Sequence, residues 1–255
     1  MAAGPTPFLV LTYHAVSDGA GPTCMPPAAF AAQLDALVDA GFASATLDDL
    51  IRWRDGAPLD GPKALITFDD ALADFVHAAH PLLRARGLQA VMFAPTGKLG
   101  GVADWDGGDG PFPPLMTWDD ARRLAQDGVT FAAHGVAHRD LTTLLAPALA
   151  DELDASAAAI ESRLGQRPIA FAAPFGRVNA AVLAAIAQRY PLAFGTRFAE
   201  MTRDAPAHDI PRIDMHYFRD PKRWRAFLDG ARGYFAMRKA LRAARTLAAA
   251  ALARG

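Results

Sequence analysis

Short apolar runs alternate with amphipathic stretches along most of the chain. Seven runs rich in apolar and β-branched residues predict strands, over residues 8–12, 64–68, 90–94, 129–133, 169–173, 192–196 and 210–215. Between them, apolar residues recur with the spacing of a helix face and predict helices over residues 27–41, 47–54, 71–86, 118–126, 148–164 and 179–190. Strands that alternate with helices favour an α/β fold with a parallel sheet, closed as a barrel or left open.

Two segments depart from this alternation. Residues 95–117 are dense in Gly and Pro and predict a long loop of the kind that often carries function. Residues 232–254 predict an Ala-rich basic helix, so the chain divides into one domain over residues 1–230 and a C-terminal helix over residues 231–255. One face of that helix carries Arg238, Arg242 and Arg245, and another carries Met237, Leu241, Ala244 and Ala248.

Composition and charge limit what the protein binds. With 255 residues, of which 52% are hydrophobic, the chain can bury a large core. The formal net charge of -1 gives no electrostatic basis for binding nucleic acid. Residues 219–255 nevertheless hold ten Lys and Arg against two Asp, a local +8, which leaves 16 basic and 25 acidic residues, or -9, in the rest. That basic segment either docks on the domain with a solvated face or makes peripheral contact with anionic membrane lipid.

The location of the protein is predicted from its first residues. The start, MAAGPTPFLVLTYHAV, has no basic segment before its short apolar run, so it is not typical of a signal peptide. The prediction is a cytoplasmic protein, at the inner face of the membrane if the basic helix binds lipid. Cys24 is the only cysteine, which excludes an intrachain disulfide and a cysteine-based metal site.

Polar residues capable of chemistry follow the predicted strands. His14 ends the first strand, Asp69 and Asp70 follow the second, His134 follows the fourth and His216 follows the last. In an α/β barrel the carboxyl ends of the strands share one face, where sites are built. We therefore expect these side chains to meet at one end of the barrel.

The pair His134 and His138 has a spacing that suits metal ligands. On a helical turn, residues four apart lie on one side, and a carboxylate from elsewhere would complete an open three-ligand site. Asp69 and Asp70 taken alone would fit equally well as caps of a helix beginning at Ala71. The acid pair and the histidine pair together, at neighbouring strand ends, favour the metal site.

Three motifs, in this order, resemble those of a known family. TFDDA at 67–71, HGVAH at 134–138 and APFG at 173–176 resemble the polysaccharide deacetylase family, carbohydrate esterase family 4 with its NodB homology domain, and the resemblance covers about residues 7–230. It implies a distorted (β/α) barrel of about seven parallel strands that removes N-acetyl groups, or occasionally O-acetyl groups, from an acetylated carbohydrate. It also implies a divalent metal, with zinc first and cobalt, nickel or manganese as alternatives.

The resemblance assigns roles to residues of this chain. The metal ligands would be Asp70, His134 and His138. Asp69 would be the general base that takes a proton from water. The backbone N–H of Phe175, in a turn shaped by Pro174 and Gly176, would stabilise the oxyanion. Trp105, in the Gly-rich loop, would either stack on a sugar ring or simply anchor that loop.

Two histidines are candidates for the general acid that protonates the leaving amine. A histidine late in the chain is usual in the family, and His216 in IDMH approximates it. A subgroup resembling exopolysaccharide poly-N-acetylglucosamine deacetylases instead uses the histidine of an N-terminal YH motif, which His14 in YHAV fits better. His14 is therefore favoured, and the other histidine would be a hydrogen-bonded core residue.

Two departures from the family pattern bear on activity. Ala71 stands where glycine is usual, and Ala172 stands where an arginine usually holds the general base. Arg212, in IPRID, would supply that guanidinium from across the barrel, as the same subgroup suggests. Two alternatives stay open: an amidase or imidase that cleaves another C–N bond on the same scaffold, and a carbohydrate-binding pseudoenzyme that kept its metal but lost turnover with the Ala172 position.

Overall fold

The computed structural model of the protein describes residues 8–19, 21, 23–105, 107 and 112–252. The described residues form ten strands, β1 to β10, over Phe8–Tyr13, Ala15–Val16, Cys24–Met25, Ala43–Ser44, Lys63–Phe68, Val91–Ala94, Thr130–Ala133, Ala170–Ala172, Leu192–Phe194 and Ile213–Asp214. They also form eight α-helices, α1 to α8, over Pro27–Asp39, Leu47–Arg54, His80–Arg84, Trp118–Gln126, Ala146–Leu164, Ala180–Ala187, Pro221–Leu228 and Gly233–Leu252.

Seven parallel strands follow one another in the central sheet, in the order β10-β1-β5-β6-β7-β8-β9, and the two-residue strand β4 also pairs with β5 as an eighth strand. The segment that leads into β10 bonds to the far edge of this sheet, where the Gly195 N–H donates to the Ile210 carbonyl over 2.9 Å. Because β10 then pairs with β1, aligning Ile213 with Leu11, the two edges are joined and the sheet curls into a distorted barrel. The predicted α/β fold with about seven parallel strands is confirmed. The carboxyl ends of these strands all lie at one end of the barrel, which we call the carboxyl edge. The opposite end of the barrel is called the amino edge.

Strand residues alternate between two apolar layers, as the twofold period of a strand requires. In β1, Leu9 and Leu11 pack with the helices outside the sheet, whereas Phe8 and Val10 belong to the cluster inside the barrel. Helix α2 closes the amino edge of that inner cluster, where Trp53 stacks on Phe8 with ring centroids 5.0 Å apart. Burial on both faces explains why the strands read as continuous apolar runs in the sequence.

Two helices begin and end at the residues predicted for them because their starts are encoded locally. Thr46 precedes α2 and Thr117 precedes α4, and each threonine side chain accepts the N–H of an aspartate three residues later. Asp49 and Asp120 in turn accept the backbone N–H of those threonines over 2.9 and 2.8 Å. Such a capping box satisfies two otherwise unpaired donors and fixes the first turn.

The helix predicted over residues 71–86 is wrong at its start. Asp70 and Ala71 take positive φ values, and helical structure begins only at Phe75, as a single π turn that leads into α3. Helix α7 is absent from the predictions. Asp220 caps α7 by accepting the Lys222 N–H over 2.9 Å. The sequence of α7, PKRWRAFL, is rich in charged residues and buries only Trp224 and Phe227, so it has no clear apolar periodicity.

The C-terminal helix α8 has the position that the sequence predicts, and the last three residues of the chain lie outside the described part. It packs against the barrel, where the Tyr234 hydroxyl donates to the Tyr217 carbonyl over 2.8 Å. Met237 and Leu241, on its outer face, are 48% and 45% exposed. Among the described helices none is long and apolar enough to cross a membrane. Peripheral contact of α8 with lipid stays a prediction.

Candidate metal centre and active site

Asp69 and Asp70 lie in the turn that follows β5 at the carboxyl edge. The Asp69 N–H donates to the Tyr13 carbonyl over 3.0 Å, so Asp69 continues the pairing of β5 with β1. Asp70 and Ala71 then take left-handed backbone, with φ of 76° and 56°. This reversal turns two adjacent carboxylates toward different partners. The interpretation that they cap a helix beginning at Ala71 is wrong, since helical structure begins only at Phe75.

The Asp70 carboxylate faces the two histidines that follow β7. Asp70 Oδ1 lies 3.4 Å from Nε2 of His134 and 3.2 Å from Nε2 of His138. The three candidate ligand atoms lie within 4.8 Å of one another, and both imidazoles are buried. Nδ1 of His134 lies 2.7 Å from the Ala172 carbonyl, which can only accept, so Nδ1 carries the proton and Nε2 faces Asp70. The three residues predicted to hold a metal are therefore close together.

A loop, and not the helical turn suggested by their spacing, brings the two histidines together. The His134 N–H continues the ladder of β7 by donating to the Ala94 carbonyl over 3.1 Å, and an irregular segment follows. Gly135 has a φ of 75° and His138 a φ of 53°, so the backbone is left-handed at both ends of this segment. The expected helical turn is wrong, although the two imidazoles do lie side by side.

The electrostatics of this trio suit a divalent cation. Burial would raise the pKa of Asp70, but the contacts with the imidazoles of His134 and His138 outweigh burial and lower the pKa, so Asp70 is a carboxylate. Burial lowers the pKa of His138 below its usual range, which favours the neutral imidazole that metals bind. One carboxylate oxygen and two imidazole nitrogens are ligands that zinc, cobalt, nickel and manganese accept. The residues present therefore fit the predicted metal.

Asp69 faces Arg212, which lies just before β10. Two guanidinium N–H groups donate to the two carboxylate oxygens over 2.6 and 2.8 Å, and both side chains are buried. Arg212 Nε also donates to the Gly195 carbonyl over 3.0 Å, which orients the guanidinium. Burial would raise the pKa of Asp69, but the Arg212 charge and its hydrogen bonds outweigh burial and lower it. Asp69 thus has a guanidinium partner that Ala172 does not provide, and its role as the base stays a prediction.

His14 and His216 lie in different surroundings. His14 Nε2 is 4.0 Å from Asp69 Oδ2, and His14 lines the cavity that contains both acids. His216 lies in the turn after β10 with its ring edge-on to Tyr217, and it is not among the described residues that line this cavity. The structure therefore brings His14 to the acid pair, and which histidine is the general acid stays a prediction.

Aromatic side chains form one wall of this cavity, whose volume is about 230 Å³. Trp105 stacks on the ring of His138 with centroids 4.0 Å apart, and Phe175 meets the same ring edge-on at 4.7 Å. Phe175 lies in the 3-10 turn after β8 and has a φ of 59°. Phe175, Gly176 and Trp105 line the cavity, whereas Pro174 is buried and is not among its described lining residues.

Two residues that contribute to the site are not predicted from the sequence. Glu152, on α5, accepts the backbone N–H of Val136, between the two histidines, over 2.6 Å. Its position on the buried face of an amphipathic helix is the signal that could have identified it. Arg242, on α8, lines the cavity and donates to the Thr196 carbonyl over 2.9 Å and to an Asp214 oxygen over 3.3 Å. No local pattern indicates that the C-terminal helix reaches this wall.

Fold and site together define a barrel enzyme with a buried acid pair and a candidate metal centre at its carboxyl edge. The family model described as Polysaccharide deacetylase matches residues 56–193, more than half of the chain, and the protein belongs to that family. It is therefore a carbohydrate deacetylase, a hydrolase, and the resemblance drawn from the three motifs is confirmed at the level of the family.

Individual relatives agree with this assignment. The Bacillus subtilis protein YxkH, whose name places it provisionally among the polysaccharide deacetylases, is 24% identical over 212 residues, which cover 82% of this chain and 71% of YxkH. The structure of the Streptococcus pyogenes deacetylase PplD in complex with acetate superposes with a TM-score of 0.72 at 24% identity, covering 82% of this chain and 92% of PplD. IcaB from Ammonifex degensii has a TM-score of 0.72 at 21% identity, covering 87% of this chain and 98% of IcaB. At these identities the structural likeness establishes the fold.

Proposed function

We propose that this deacetylase removes N-acetyl groups from a carbohydrate with a divalent metal, most simply zinc, held by Asp70, His134 and His138. One observation carries the proposal: the ligand atoms of these three residues lie within 4.8 Å of one another, in the same cavity as the arginine-bound Asp69. When bound, the metal would polarise the acetyl carbonyl and make water more acidic. Two adjacent acids are then needed because one ligates the metal and the other takes a proton.

Asp69 is suited to be the general base. Its bidentate pair with Arg212 keeps the carboxylate ionised and in one orientation. A base held in this way can accept a proton from water without being captured by the metal.

His14 is suited to return a proton to the leaving amine. An amine leaves readily only if its nitrogen is protonated as the C–N bond breaks. His14 Nε2 stands 4.0 Å from Asp69 Oδ2 and borders the same cavity, so a substrate nitrogen placed there would reach both groups. The backbone N–H of Phe175, in its left-handed turn beside His138, would stabilise the developing oxyanion.

The cavity indicates how much of the substrate the enzyme encloses. At about 230 Å³ it is smaller than the roughly 300–1,000 Å³ of pockets that enclose a whole drug-sized ligand, so it would hold the acetamido group and part of one sugar ring. Trp105 and Phe175 would flank that ring. The position of His14 and the pairing of Arg212 support the subgroup that resembles poly-N-acetylglucosamine deacetylases.

Metal analysis combined with acetate release tests this proposal. Wild-type protein should contain a divalent metal and release acetate from N-acetylglucosamine oligomers. Asp69→Asn should retain the metal but lose 10²-fold or more in kcat, the lower end of the roughly 10²–10⁴-fold contribution of a general base. Asp70→Asn should lose both metal and activity.

Other outcomes would select the alternatives. Metal-containing protein that binds glycan but releases no acetate from any acetylated sugar would indicate a pseudoenzyme. Hydrolysis of simple amides or imides, with acetylated sugars left intact, would indicate an amidase or imidase. Reversed behaviour of the two aspartate variants would mean that the base and the ligand have been exchanged.

The two candidate acids are separated by a matched pair of variants. His14→Ala should lower kcat by about 10²-fold, because the leaving amine loses its proton donor. His216→Ala, at a position outside the cavity lining, should change kcat little. If His216→Ala shows the larger loss of kcat, His216 is the acid.

A further inference from the structure

Glu152 is a buried acid that the proposed mechanism does not use. It is 6% exposed and lies on the face of α5 that also buries Leu149 and Leu153. Acidic side chains are rarely buried unless their oxygens are hydrogen-bonded. The partners of Glu152 therefore indicate what it does.

Both hydrogen-bond partners of Glu152 belong to the loop between His134 and His138. Glu152 Oε2 accepts the backbone N–H of Val136 over 2.6 Å and that of Ala137 over 3.1 Å. Since this loop is not helical, its N–H groups are not engaged in a helical ladder of their own. A single carboxylate oxygen on a rigid helix thus fixes the middle of the connection between two candidate ligands.

The carbonyl groups of the loop are bound by the turn that follows β6. The Thr96 N–H donates to the Gly135 carbonyl over 3.0 Å, and the Gly97 N–H donates to the Val136 carbonyl over 2.8 Å. Carbonyl groups of the loop are therefore bound by one element and its N–H groups by Glu152. The loop is clamped between the turn after β6 and α5.

Gly135 leaves the space that the Glu152 carboxylate occupies. A Cβ atom built at Gly135 would lie 2.9 Å from Glu152 Oε2, too close for ordinary van der Waals contact. The φ of 75° at Gly135 also disfavours any side chain at this position. The glycine inside the HGVAH motif and the acid on α5 are thus sterically matched.

We propose that Glu152 is a positioning residue that holds the 134–138 loop so that both histidine Nε2 atoms meet the Asp70 carboxylate. The proposal rests on the proposed function in so far as this trio binds a metal. Glu152 is not among the described residues that line the cavity, so it acts through the loop and not on the substrate.

The zinc affinity of the metal-free protein tests this role through two substitutions. Glu152→Ala removes the acceptor and should weaken Zn²⁺ binding, measured by chelator competition, by about 10- to 100-fold, as for other outer partners of metal ligands. Glu152→Gln keeps a carbonyl oxygen that can accept both N–H groups, so it should restore most of the affinity. Glu152→Ala with wild-type affinity would overturn the proposal.

Two neighbours on α5 serve as controls for a general loss of stability. Leu153→Ala should lower the urea midpoint by removing a fully buried side chain, but it leaves the Glu152 bonds in place and should keep the Zn²⁺ affinity. Asp151→Ala, at an exposed position, should change neither property. If Leu153→Ala loses as much Zn²⁺ affinity as Glu152→Ala, the effect of Glu152 is one of fold stability and the proposal is wrong.

Hydrogen exchange in the metal-free protein separates this proposal from the proposed function. The amides of Val136 and Ala137 should exchange faster in Glu152→Ala than in wild type, and Glu152→Gln should keep most of the protection. Equal exchange in all three proteins would overturn the positioning role. Wild-type protein that binds no Zn²⁺ would contradict the proposed metal centre alone, because the exchange experiment needs no metal.

Discussion

The turns at the two ends of β7 and β8 place different residues in the left-handed region. At the amino edge, Gly128 and Gly165 lie in the turns that lead into these strands, with φ of 92° and 81°. At the carboxyl edge, the turns that leave the same strands place His138 and Phe175 there, with φ of 53° and 59°, in addition to Gly135 and Gly176. Glycine takes this conformation without a steric penalty, whereas a residue with a Cβ atom pays about 1–2 kcal/mol.

The turn after β5 repeats the carboxyl-edge arrangement at Asp70 and Ala71. In the described part of the chain, all four non-glycine residues with positive φ lie at this edge. Three of them, Asp70, His138 and Phe175, have side chains in the wall of the cavity. Left-handed backbone strain at non-glycine residues therefore occurs in turns that direct a particular side chain into the site. Turns that only reverse the chain have glycine at the left-handed position.

The two edges should differ most in the free energy of unfolding that is lost when one arginine is replaced at each of them. Arg212→Met leaves the buried Asp69 without its partner and should lower the free energy of unfolding by about 3–5 kcal/mol. Arg167→Met, in the turn that leads into β8, breaks a half-exposed pair with Glu161 and should cost less than about 1 kcal/mol. Urea unfolding of both variants measures the two values. Similar losses would show that the buried pair at the carboxyl edge contributes no more stability than the half-exposed pair at the amino edge.

A smaller effect should follow from adding a methyl group at the amino edge. Gly165→Ala meets no atom within 4 Å of the new Cβ, so its cost of about 1–2 kcal/mol should come from the left-handed backbone alone. Deacetylase activity should be unchanged, because Gly165 is remote from the cavity. A variant as stable as wild type in thermal unfolding would show that this turn tolerates a side chain without strain.

The smallest effect should come from the reverse change at the carboxyl edge. Ala71→Gly loses a buried methyl group, worth about 0.8 kcal/mol, and raises the entropy of the unfolded chain, worth about 0.4–1 kcal/mol. It also relieves about 1–2 kcal/mol of left-handed strain, so its stability should stay within about 1 kcal/mol of wild type. Ala121→Gly, equally buried but inside α4, relieves nothing and should cost about 1–2 kcal/mol. Equal losses in urea unfolding would mean that Ala71 is not strained.

Local signals account for the parts of the fold that the sequence predicts well. The capping boxes at Thr46 and Thr117 give the bounds of α2 and α4, and buried parallel strands read as apolar runs. The helix start near Asp70 could not be read in this way. Neither aspartate nor alanine signals left-handed backbone, so the residues after β5 look like a first helical turn.

For the site as well, the sequence predicts the features that depend on local patterns and does not predict those that depend on long-range contacts. The spacing of His134 and His138 indicates that the two side chains meet, but not that a clamped loop brings them together. The partner of the loop, Glu152, lies 16 residues from Val136, and only folding reveals that the two touch. The pairing of Arg212 with Asp69 came from the family resemblance, since no local pattern links two residues on different strands of a barrel.

Arg212 and Asp69 are separated by 143 positions, and this separation constrains the order in which the protein can fold. On the ribosome, Asp69 emerges long before the strand that carries its partner has been synthesised. Until that strand docks, the carboxylate has to stay in water, because burying it unpaired would cost several kcal/mol. Asp69 is therefore buried in the same event that joins the first and last strands. A nascent chain that stops before residue 212 would have neither a closed ring of strands nor an arginine partner for Asp69.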